Sequence, residues 1–160
     1  MAKAEIQELT QECLKRHFGY DPATGHMVRI KSVQGAPSGQ LPYPHSNGYL
    51  RIRFAGGMQL VHRLAWLYVH GEMPPEQIDH IDGNRSNNRI ENLRLATNAQ
   101  NSQNNHVAKG VSFYKPTGVW RCRLNKAKQC IVNSYHKTYD EARSAYLEAK
   151  RQHHEFAVIA

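Results

Sequence analysis

The amino-acid sequence predicts an α+β fold, and two observations support this prediction. Short alternating segments such as residues 49–54 lie between glycine-rich turns, which is typical of antiparallel strands. Three other segments, residues 2–17, 62–70 and 139–156, repeat apolar residues at helical spacing. We therefore expect N-terminal strands and helices, followed by a three-stranded antiparallel sheet that is backed by one helix.

The chain is basic and of moderate length. Its 160 residues are enough for one ordinary domain or two small ones. Lys and Arg number 21 against 13 Asp and Glu, which gives a formal net charge of +8. This charge favours polyanionic partners, because cations that bind a phosphate backbone release its counterions.

The cysteines and the apolar segments bear on the cell compartment. Cys13, Cys122 and Cys130 lack zinc-ligand spacing and are an odd number for a disulfide framework, so we expect no structural zinc and a reducing environment. No apolar stretch approaches the ~20 residues of a membrane span, and residues 1–18 lack the apolar core of a signal peptide. The sequence therefore predicts a cytoplasmic protein with no membrane partner.

The N-terminal part should contain the helices at residues 2–17 and 62–70 and several strands. The helix over residues 2–17 should end near Gly19. One strand is expected at residues 26–30. Two more, at residues 49–54 and 58–62, should lie on either side of a turn at Gly56-Gly57. Arg51 and Arg53 lie on one face of their strand. That face either contacts the backbone phosphates of DNA or is simply solvated.

The most informative segment is residues 79–93, DHIDGNRSNNRIENL, which combines a carboxylate, an imidazole, a tight turn and several carboxamides. Residues 77–81 and 93–96 should be two short strands, and a helix should begin at Asn98. Because adjacent residues of a strand point to opposite sides, Asp79 and His80 should not bind the same ion.

These residue types suit the hydrolysis of a phosphodiester, which requires a base for the attacking water and positive charge for the phosphate. The carboxylate of Asp79 is an oxygen ligand for a hard cation such as Mg²⁺ or Mn²⁺. The imidazole of His80 can accept a proton at neutral pH, since an unperturbed histidine has a pKa of ~6.5. We therefore expect one divalent cation on Asp79 and the water on His80.

The letters DHIDGN and NNRIENLRLAT resemble the phage and intron-encoded branch of the H-N-H nuclease family. The upstream letters YDPATG, NGYLRI and VHRLAWLYVHG extend the resemblance over residues 18–105. The family has two short strands and a helix around one metal ion, so the resemblance implies a ββα-metal nuclease core at residues 77–105.

The resemblance also implies roles for individual residues. Asp79 binds the metal and His80 is the general base. Asn101 is the second metal ligand, with Asn98 and Asn104 as the alternatives. It takes the place of the histidine that is common at this position, and a neutral amide disfavours tightly held zinc. Asn92 fixes the loop and the orientation of His80.

Other residues near this segment have less specific expectations. His62 should be structural or contact a phosphate, and it lies outside the catalytic set that the resemblance implies. Candidates for binding phosphates, or else plain surface residues, are Arg85, Arg89 and Arg94. Residues that should stabilise the turn rather than bind metal are Asp82, Asn84, Asn87 and Asn88.

Residues 110–156 change in character. The expected strands are 110–114, 119–125 and 130–136, and the helix at 139–156 should bury one face formed by Ala142, Ala145, Tyr146, Ala149 and His153. Along the middle strand the apolar residues Trp120, Cys122 and Leu124 alternate with Arg121, Arg123 and Asn125. One face of the sheet should therefore pack on the helix, while the other is polar and basic.

The letters GVSFYKPTGVWRCRL and SYHKTYDEARSAYLEA resemble the DNA-binding domain of plant ethylene-response factors. The resemblance implies that the exposed sheet face binds DNA, where Arg can read guanine and Asn can read adenine. The corresponding positions are Lys109, Ser112, Tyr114, Lys115, Arg121, Arg123 and Asn125. Several arginines of that family are absent here, so its target sequence cannot be carried over.

Together these patterns predict a metal-dependent DNA endonuclease of the H-N-H type. Residues 1–106 should be the nuclease domain, and residues 107–160 a DNA-binding domain. The expected substrate is double-stranded DNA, cut in one strand or both to leave 5′-phosphate and 3′-hydroxyl ends by a protein that is a monomer on DNA. The resemblance implies a phage homing-type enzyme in the host cytoplasm. The alternative is a DNA-binding or regulatory protein whose metal core has decayed.

Overall fold

A computed structural model describes residues 9–33, 35–103 and 110–155. The chain divides into two compact units, Met1–Thr97 and Asn98–Ala160. The predicted domain boundary, between residues 106 and 107, falls outside the described residues and stays a prediction. Helices and strands alternate irregularly in both units, which is consistent with the predicted α+β class.

In the residues that the structure describes, the first unit contains two helices and seven short strands. In chain order they are α1 (Gln11–His17), β1 (Phe18–Tyr20), β2 (Met27–Arg29), β3 (Tyr43–Pro44), β4 (Leu50–Phe54), β5 (Gly57–Leu60), α2 (Val61–His70), β6 (Gln77–His80) and β7 (Leu93–Ala96), with a 3₁₀ turn at Ile90–Asn92. The strands pair antiparallel as β1–β2, β3–β4–β5 and β6–β7. The predicted strand over residues 93–96 is confirmed, and the one predicted over residues 77–81 ends one residue earlier, at His80.

Helix α1 is shorter than predicted in the part that the structure describes. The side chain of Thr10 accepts a hydrogen bond from the backbone nitrogen of Cys13 at 3.2 Å, so the helix begins at Gln11. A threonine at this position satisfies a backbone N–H that the first turn leaves free. The prediction of helix for residues 9 and 10 is therefore wrong, and residues 1–8 lie outside the described part.

The apolar core of the first unit joins its helices to the strands. Its fully buried side chains include Leu14, Phe18, Ile52 and Leu64. Ile78 on β6 and Leu93 on β7 belong to the same core. Because burial of one such side chain contributes ~1.5–3 kcal/mol, the core fixes the strand pair that carries Asp79 and His80.

The second unit contains α3 (Asn98–Gln103), β8 (Val111–Tyr114), β9 (Val119–Lys126), β10 (Gln129–His136) and α4 (Tyr139–His153). The strands form one antiparallel sheet in the order β10–β9–β8. Helix α4 packs on this sheet around Cys122, Leu124 and Tyr146. The predicted three-stranded sheet with one helix is confirmed as an architecture.

Helix α4 begins with a capping box. The Thr138 side chain accepts from the Glu141 backbone nitrogen, and the Glu141 carboxylate accepts from the Thr138 backbone nitrogen. Its buried face is not fully as predicted, because His153 is exposed and Lys150 is buried.

Among the helices that the structure describes, none is long and apolar enough to cross a membrane.

Candidate active site

Strand β6 places Asp79 and His80 beside each other but in different surroundings. In the pairing with β7, Asp79 lies opposite Arg94 and His80 lies opposite Leu93. Both residues are buried, since Asp79 is 4% exposed and His80 is 3% exposed. The Asp79 carboxylate contacts Arg94, whereas the His80 ring contacts Asn88. These separate contacts match the division that strand geometry predicts for adjacent residues.

The carboxylate of Asp79 forms an ion pair with Arg94. Its Oδ2 accepts hydrogen bonds from Nε of Arg94 at 2.9 Å and from Nη2 at 2.8 Å. The Arg94 side chain is 25% exposed and the Asp79 side chain 5% exposed. Arg94 is therefore the counter-ion of a buried carboxylate rather than a plain surface residue.

The imidazole of His80 is held at one nitrogen by Asn88. The distance from Nε2 to Oδ1 of Asn88 is 3.3 Å, and Asn88 itself is 1% exposed. The amide nitrogen of Asn88 donates to the Ser86 carbonyl at 3.1 Å, so the amide oxygen faces the ring. An oxygen acceptor requires Nε2 to carry the proton, which leaves Nδ1 as the basic nitrogen of neutral His80.

The surroundings keep His80 uncharged. Burial lowers the pKa of His80 below its ordinary value, while Asn88 and the carboxylates of Asp82 and Asp79 oppose that effect in part. Arg85 lowers the pKa further. A histidine with a lowered pKa is neutral at neutral pH and can therefore accept a proton.

Asn92 fixes the loop that follows β6. Its Oδ1 accepts from the Asp82 backbone nitrogen at 3.0 Å, and its Nδ2 donates to the Asp82 carboxylate and to the Asn87 carbonyl, each at 2.9 Å. Asp82 also accepts from the Asn84 backbone and from the Asn87 side chain. These contacts fit the loop-fixing role expected of Asn92 and the turn role expected of Asp82. The His80 ring is instead bonded to Asn88, whose Oδ1 accepts from Nε2.

Two further rings pack against His80, and sequence reasoning assigned neither to the site. The His62 ring centroid lies 5.1 Å from that of His80, and the Tyr49 ring centroid lies 5.8 Å from it. His62 is 5% exposed, so of the two options expected for it, burial fits the structural one. The available signal was its helical spacing with Ala65, which places both on the buried face of α2.

The arginines proposed to bind phosphates differ in how they are held. Arg85 donates from Nη1 to the Asn47 carbonyl at 2.9 Å, and its guanidinium lies 5.0 Å from the Tyr49 ring centroid. Arg89 forms an exposed ion pair with Glu91 at 3.7 Å. On β4, Arg53 is exposed and Arg51 is half-buried. Their contacts with DNA stay predictions.

In the second unit, the polar face of the sheet contains the predicted residues that the structure describes. Ser112 pairs with Arg121 across β8 and β9. Arg121 donates from Nε to Oδ1 of Asn133 on β10 at 3.0 Å. Also on this face are Tyr114, Arg123 and Asn125, with Lys115 exposed just beyond β8. Lys109 lies outside the described residues.

Sequence reasoning missed two β10 residues of this face. Asn133 pairs with Arg123 in register and accepts the hydrogen bond from Arg121. The Tyr135 ring lies 5.3 Å from the Tyr114 ring, centroid to centroid. The signal was strand alternation, because residues 133 and 135 share one face of β10.

Asn101 lies in α3, within the second unit, and is half-buried. Its role as the second metal ligand stays a prediction. Among the residues that the structure describes, no three His, Cys, Asp or Glu side chains are grouped as metal ligands. The ligand pair expected here would instead combine one carboxylate with one amide.

Gly25 supports the segment that carries Asn88. It has φ +74°, and a Cβ at this position would lie 2.6 Å from the Asn88 carbonyl carbon and nearer still to the Arg89 nitrogen. The neighbouring backbone is also bonded to this segment, since the Ile90 nitrogen donates to the Pro22 carbonyl at 3.1 Å. A side chain on Gly25 would therefore displace Asn88.

We expect Gly25→Ala to destabilise the protein more than Gly39→Ala. Both glycines have left-handed φ values, so each alanine adds ~1–2 kcal/mol of backbone strain. A Cβ at Gly39 meets nothing within 4 Å, so only Gly25→Ala adds overpacking, which costs roughly a further 1–3 kcal/mol. Thermal unfolding of the two variants measures the difference. Equal losses of stability would contradict the close contact with Asn88.

Comparison with known proteins finds a family match in the part of the chain that carries this site. Residues 59–103 match a family model described as HNH endonuclease. The matched HNH segment includes Asp79, His80 and Asn92 together with His62 and Asn101. The match indicates an HNH endonuclease domain in this part of the chain.

Two viral relatives resemble parts of the chain, and one of them is named as an HNH endonuclease. A protein of Acanthamoeba polyphaga mimivirus, named as an uncharacterized HNH endonuclease, is 41% identical over 93 residues, which cover 58% of this chain and 47% of that protein. Protein 3.8 of Escherichia phage T7 is 38% identical over 68 residues, which cover 38% of this chain and 56% of that protein. The chain thus spans about half the length of these relatives. No solved structure matches it.

Proposed function

We propose that the protein is a metal-dependent DNA endonuclease of the H-N-H type, which hydrolyses phosphodiester bonds to 5′-phosphate and 3′-hydroxyl ends. The observation that carries the proposal is the buried imidazole of His80, whose Nε2 is held by Asn88, beside the buried carboxylate of Asp79. This arrangement lies within the segment that matches the HNH endonuclease family.

In the proposed reaction, His80 removes the proton from the attacking water. Nδ1 accepts the proton as the water oxygen bonds to phosphorus and the 3′ oxygen leaves. Asn88 keeps the proton of Nε2 in place, so the ring enters the reaction in the required tautomer. Asn92 holds the loop that follows His80, which keeps the base in position relative to the phosphate.

The donor set fits a hard cation. Asp79 is a buried carboxylate whose orientation Arg94 fixes, and Asn101 would add an amide oxygen, so both ligands are of the type that Mg²⁺ or Mn²⁺ prefers. When bound, the ion would neutralise charge on the phosphate and stabilise the leaving oxygen. Asp79 lies on β6, its partner Arg94 on β7 and Asn101 on α3, and these are the elements of the proposed ββα-metal core.

Double-stranded DNA is the proposed partner. Arg85, Arg89, Arg51 and Arg53 would bind backbone phosphates around the site, and a net charge of +8 favours this encounter. The polar sheet face of the second unit would bind the duplex as a separate recognition surface. The same proposal includes phage homing-type biology in the host cytoplasm, action as a monomer, and either a nick or a double-strand break.

A nicking assay with the purified full-length chain tests the proposal. Supercoiled plasmid should become nicked or linear in the presence of Mg²⁺ or Mn²⁺, and His80→Ala should serve as the matched inactive protein. A preparation that binds DNA but cuts no faster than His80→Ala would support the second candidate instead, a DNA-binding or regulatory protein with a decayed core. The intact contacts of Asp79, His80 and Asn92 favour the nuclease.

Replacement of the sheet arginines should weaken target preference. We expect Arg121→Ala and Arg123→Ala each to lose ~1–3 kcal/mol of discrimination, the value of one bidentate contact between arginine and guanine. The rate on saturating DNA should change little. The measurement is the ratio of dissociation constants for a preferred duplex, selected from a randomised library, and for random DNA.

The matched control for this prediction is Arg143→Ala. Arg143 is exposed on α4, which packs on the opposite face of the sheet, so the variant removes the same charge away from the proposed surface. If Arg143→Ala lowers the preference as much as Arg121→Ala, the effect is general electrostatics and the sheet face does not read the sequence. If an arginine contacts only a phosphate, its loss would instead reduce the slope of log affinity against log salt concentration by roughly 0.9.

A further inference from the structure

The buried imidazole of His62 contacts the proposed base. His62 is the second residue of α2, and the planes of its ring and the His80 ring meet at 87°, with centroids 5.1 Å apart. The Tyr49 ring lies 5.1 Å from the His62 ring and 5.8 Å from the His80 ring, so the three rings form one cluster. His80 is thus packed between rings and bonded to Asn88 at Nε2.

Packing alone does not account for a histidine at this position. The other buried side chains at the start of α2 are the apolar Val61, Leu64 and Ala65. Nδ1 of His62 is buried and has no hydrogen-bond partner in the part of the chain that the structure describes. Because an unsatisfied buried polar atom costs roughly 1–3 kcal/mol, an aliphatic side chain such as leucine would be more stable here than this ring. The ring that carries this cost is the one that contacts His80.

The charge state of His62 suits this contact. Burial, together with His80 and Arg63 nearby, lowers the pKa of His62 to about 3. The ring is therefore neutral at neutral pH. A cation so close to His80 would oppose the uptake of a proton there, whereas a neutral ring does not.

We propose that His62 is a positioning residue, whose ring holds His80 in the rotamer that directs Nε2 to Asn88. The catalytic consequence rests on the proposed nuclease function, while the contact itself does not. His62 touches neither substrate nor metal in this proposal. It acts through His80 alone, so its loss should affect the chemical step and not the binding of DNA.

Variants of the full-length chain separate positioning from packing. His62→Phe keeps a flat ring without the buried nitrogen, and His62→Leu keeps apolar volume without the ring. His70→Leu is the matched control, because His70 is exposed in the last turn of the same helix.

We expect His62→Leu to lower the single-turnover cleavage rate roughly 10- to 100-fold, the range that small displacements of a catalytic group produce. Its melting temperature and its dissociation constant for DNA should be no worse than those of the wild type. His62→Phe should retain most of the activity, and His70→Leu should retain all of it. Wild-type cleavage by a folded His62→Leu protein would overturn the proposal.

A second measurement does not depend on cleavage. Nuclear Overhauser effects between the ring protons of His80 and Tyr49 report the rotamer of His80 in the protein without DNA or metal. They should persist in His62→Phe and disappear in His62→Leu. Unchanged effects in His62→Leu would overturn the proposal at any level of activity. If the wild-type protein does not cut DNA, the nuclease proposal fails, and this comparison still decides whether His62 positions the ring.

Discussion

Replacement of His80 by alanine should lower the rate of DNA cleavage by roughly 10²–10⁴-fold, the usual contribution of a positioned general base. The reason is that Nδ1 of His80 is the nitrogen left unprotonated when Nε2 is bonded to Asn88. DNA affinity should be almost unchanged, since a ring that is 3% exposed offers little surface to a duplex. Single-turnover kinetics with saturating protein measure the chemical step directly.

The size of the side chain needs a control, because alanine leaves a cavity where a buried ring was. His80→Gln fills more of that space and can still donate to Asn88, but its amide does not accept the proton of water at neutral pH. Both variants should therefore be slow, while His80→Gln should be the more stable to heat. A His80→Gln protein that cuts at the wild-type rate would remove His80 from the role of base.

Local patterns in the sequence predicted the elements around the site. The strands of the β6–β7 pair follow from short apolar segments on either side of turn-forming residues, and helix α3 begins at the predicted Asn98. The separate surroundings of Asp79 and His80 follow from the two-residue period of a strand. These predictions succeed because they depend on residues that are close together in the chain.

The contacts of the His80 ring could not be predicted in the same way. His62 and His80 are 18 positions apart in the chain, and the hydroxyl of Tyr20, which donates to the Asn88 carbonyl at 2.7 Å, is 68 positions from Asn88. Such contacts depend on how α2, β1 and the loop pack together, and a local pattern carries no information about that packing. For the same reason, Asn88 was assigned only to the turn.

Replacement of Asp79 by asparagine should lower cleavage by more than ~10³-fold, because the site would lose its charged metal ligand and the electrostatic stabilisation that depends on it. Asparagine keeps the shape of the side chain, so the loss would report charge rather than packing. The wild-type protein should lose activity in EDTA and regain it with Mg²⁺ or Mn²⁺. Isothermal titration should show weaker Mg²⁺ binding to Asp79→Asn, and Asn101→Asp should bind as tightly as the wild type or tighter.

Arg94→Ala keeps the carboxylate of Asp79 and removes its cationic partner. The variant therefore distinguishes a loss of metal binding from a general loss of stability. In the absence of metal, Arg94→Ala leaves the buried carboxylate of Asp79 without its guanidinium partner. We therefore expect the free energy of unfolding to fall by roughly 2 kcal/mol. The same variant should bind Mg²⁺ more tightly than the wild type, since no fixed cation then competes for the carboxylate. Mg²⁺ at 100 times its dissociation constant should raise the free energy of unfolding by ~2.7 kcal/mol. If Mg²⁺ raises the melting temperature of Asp79→Asn as much as that of Arg94→Ala, the ion binds elsewhere, and Asp79 is not its ligand.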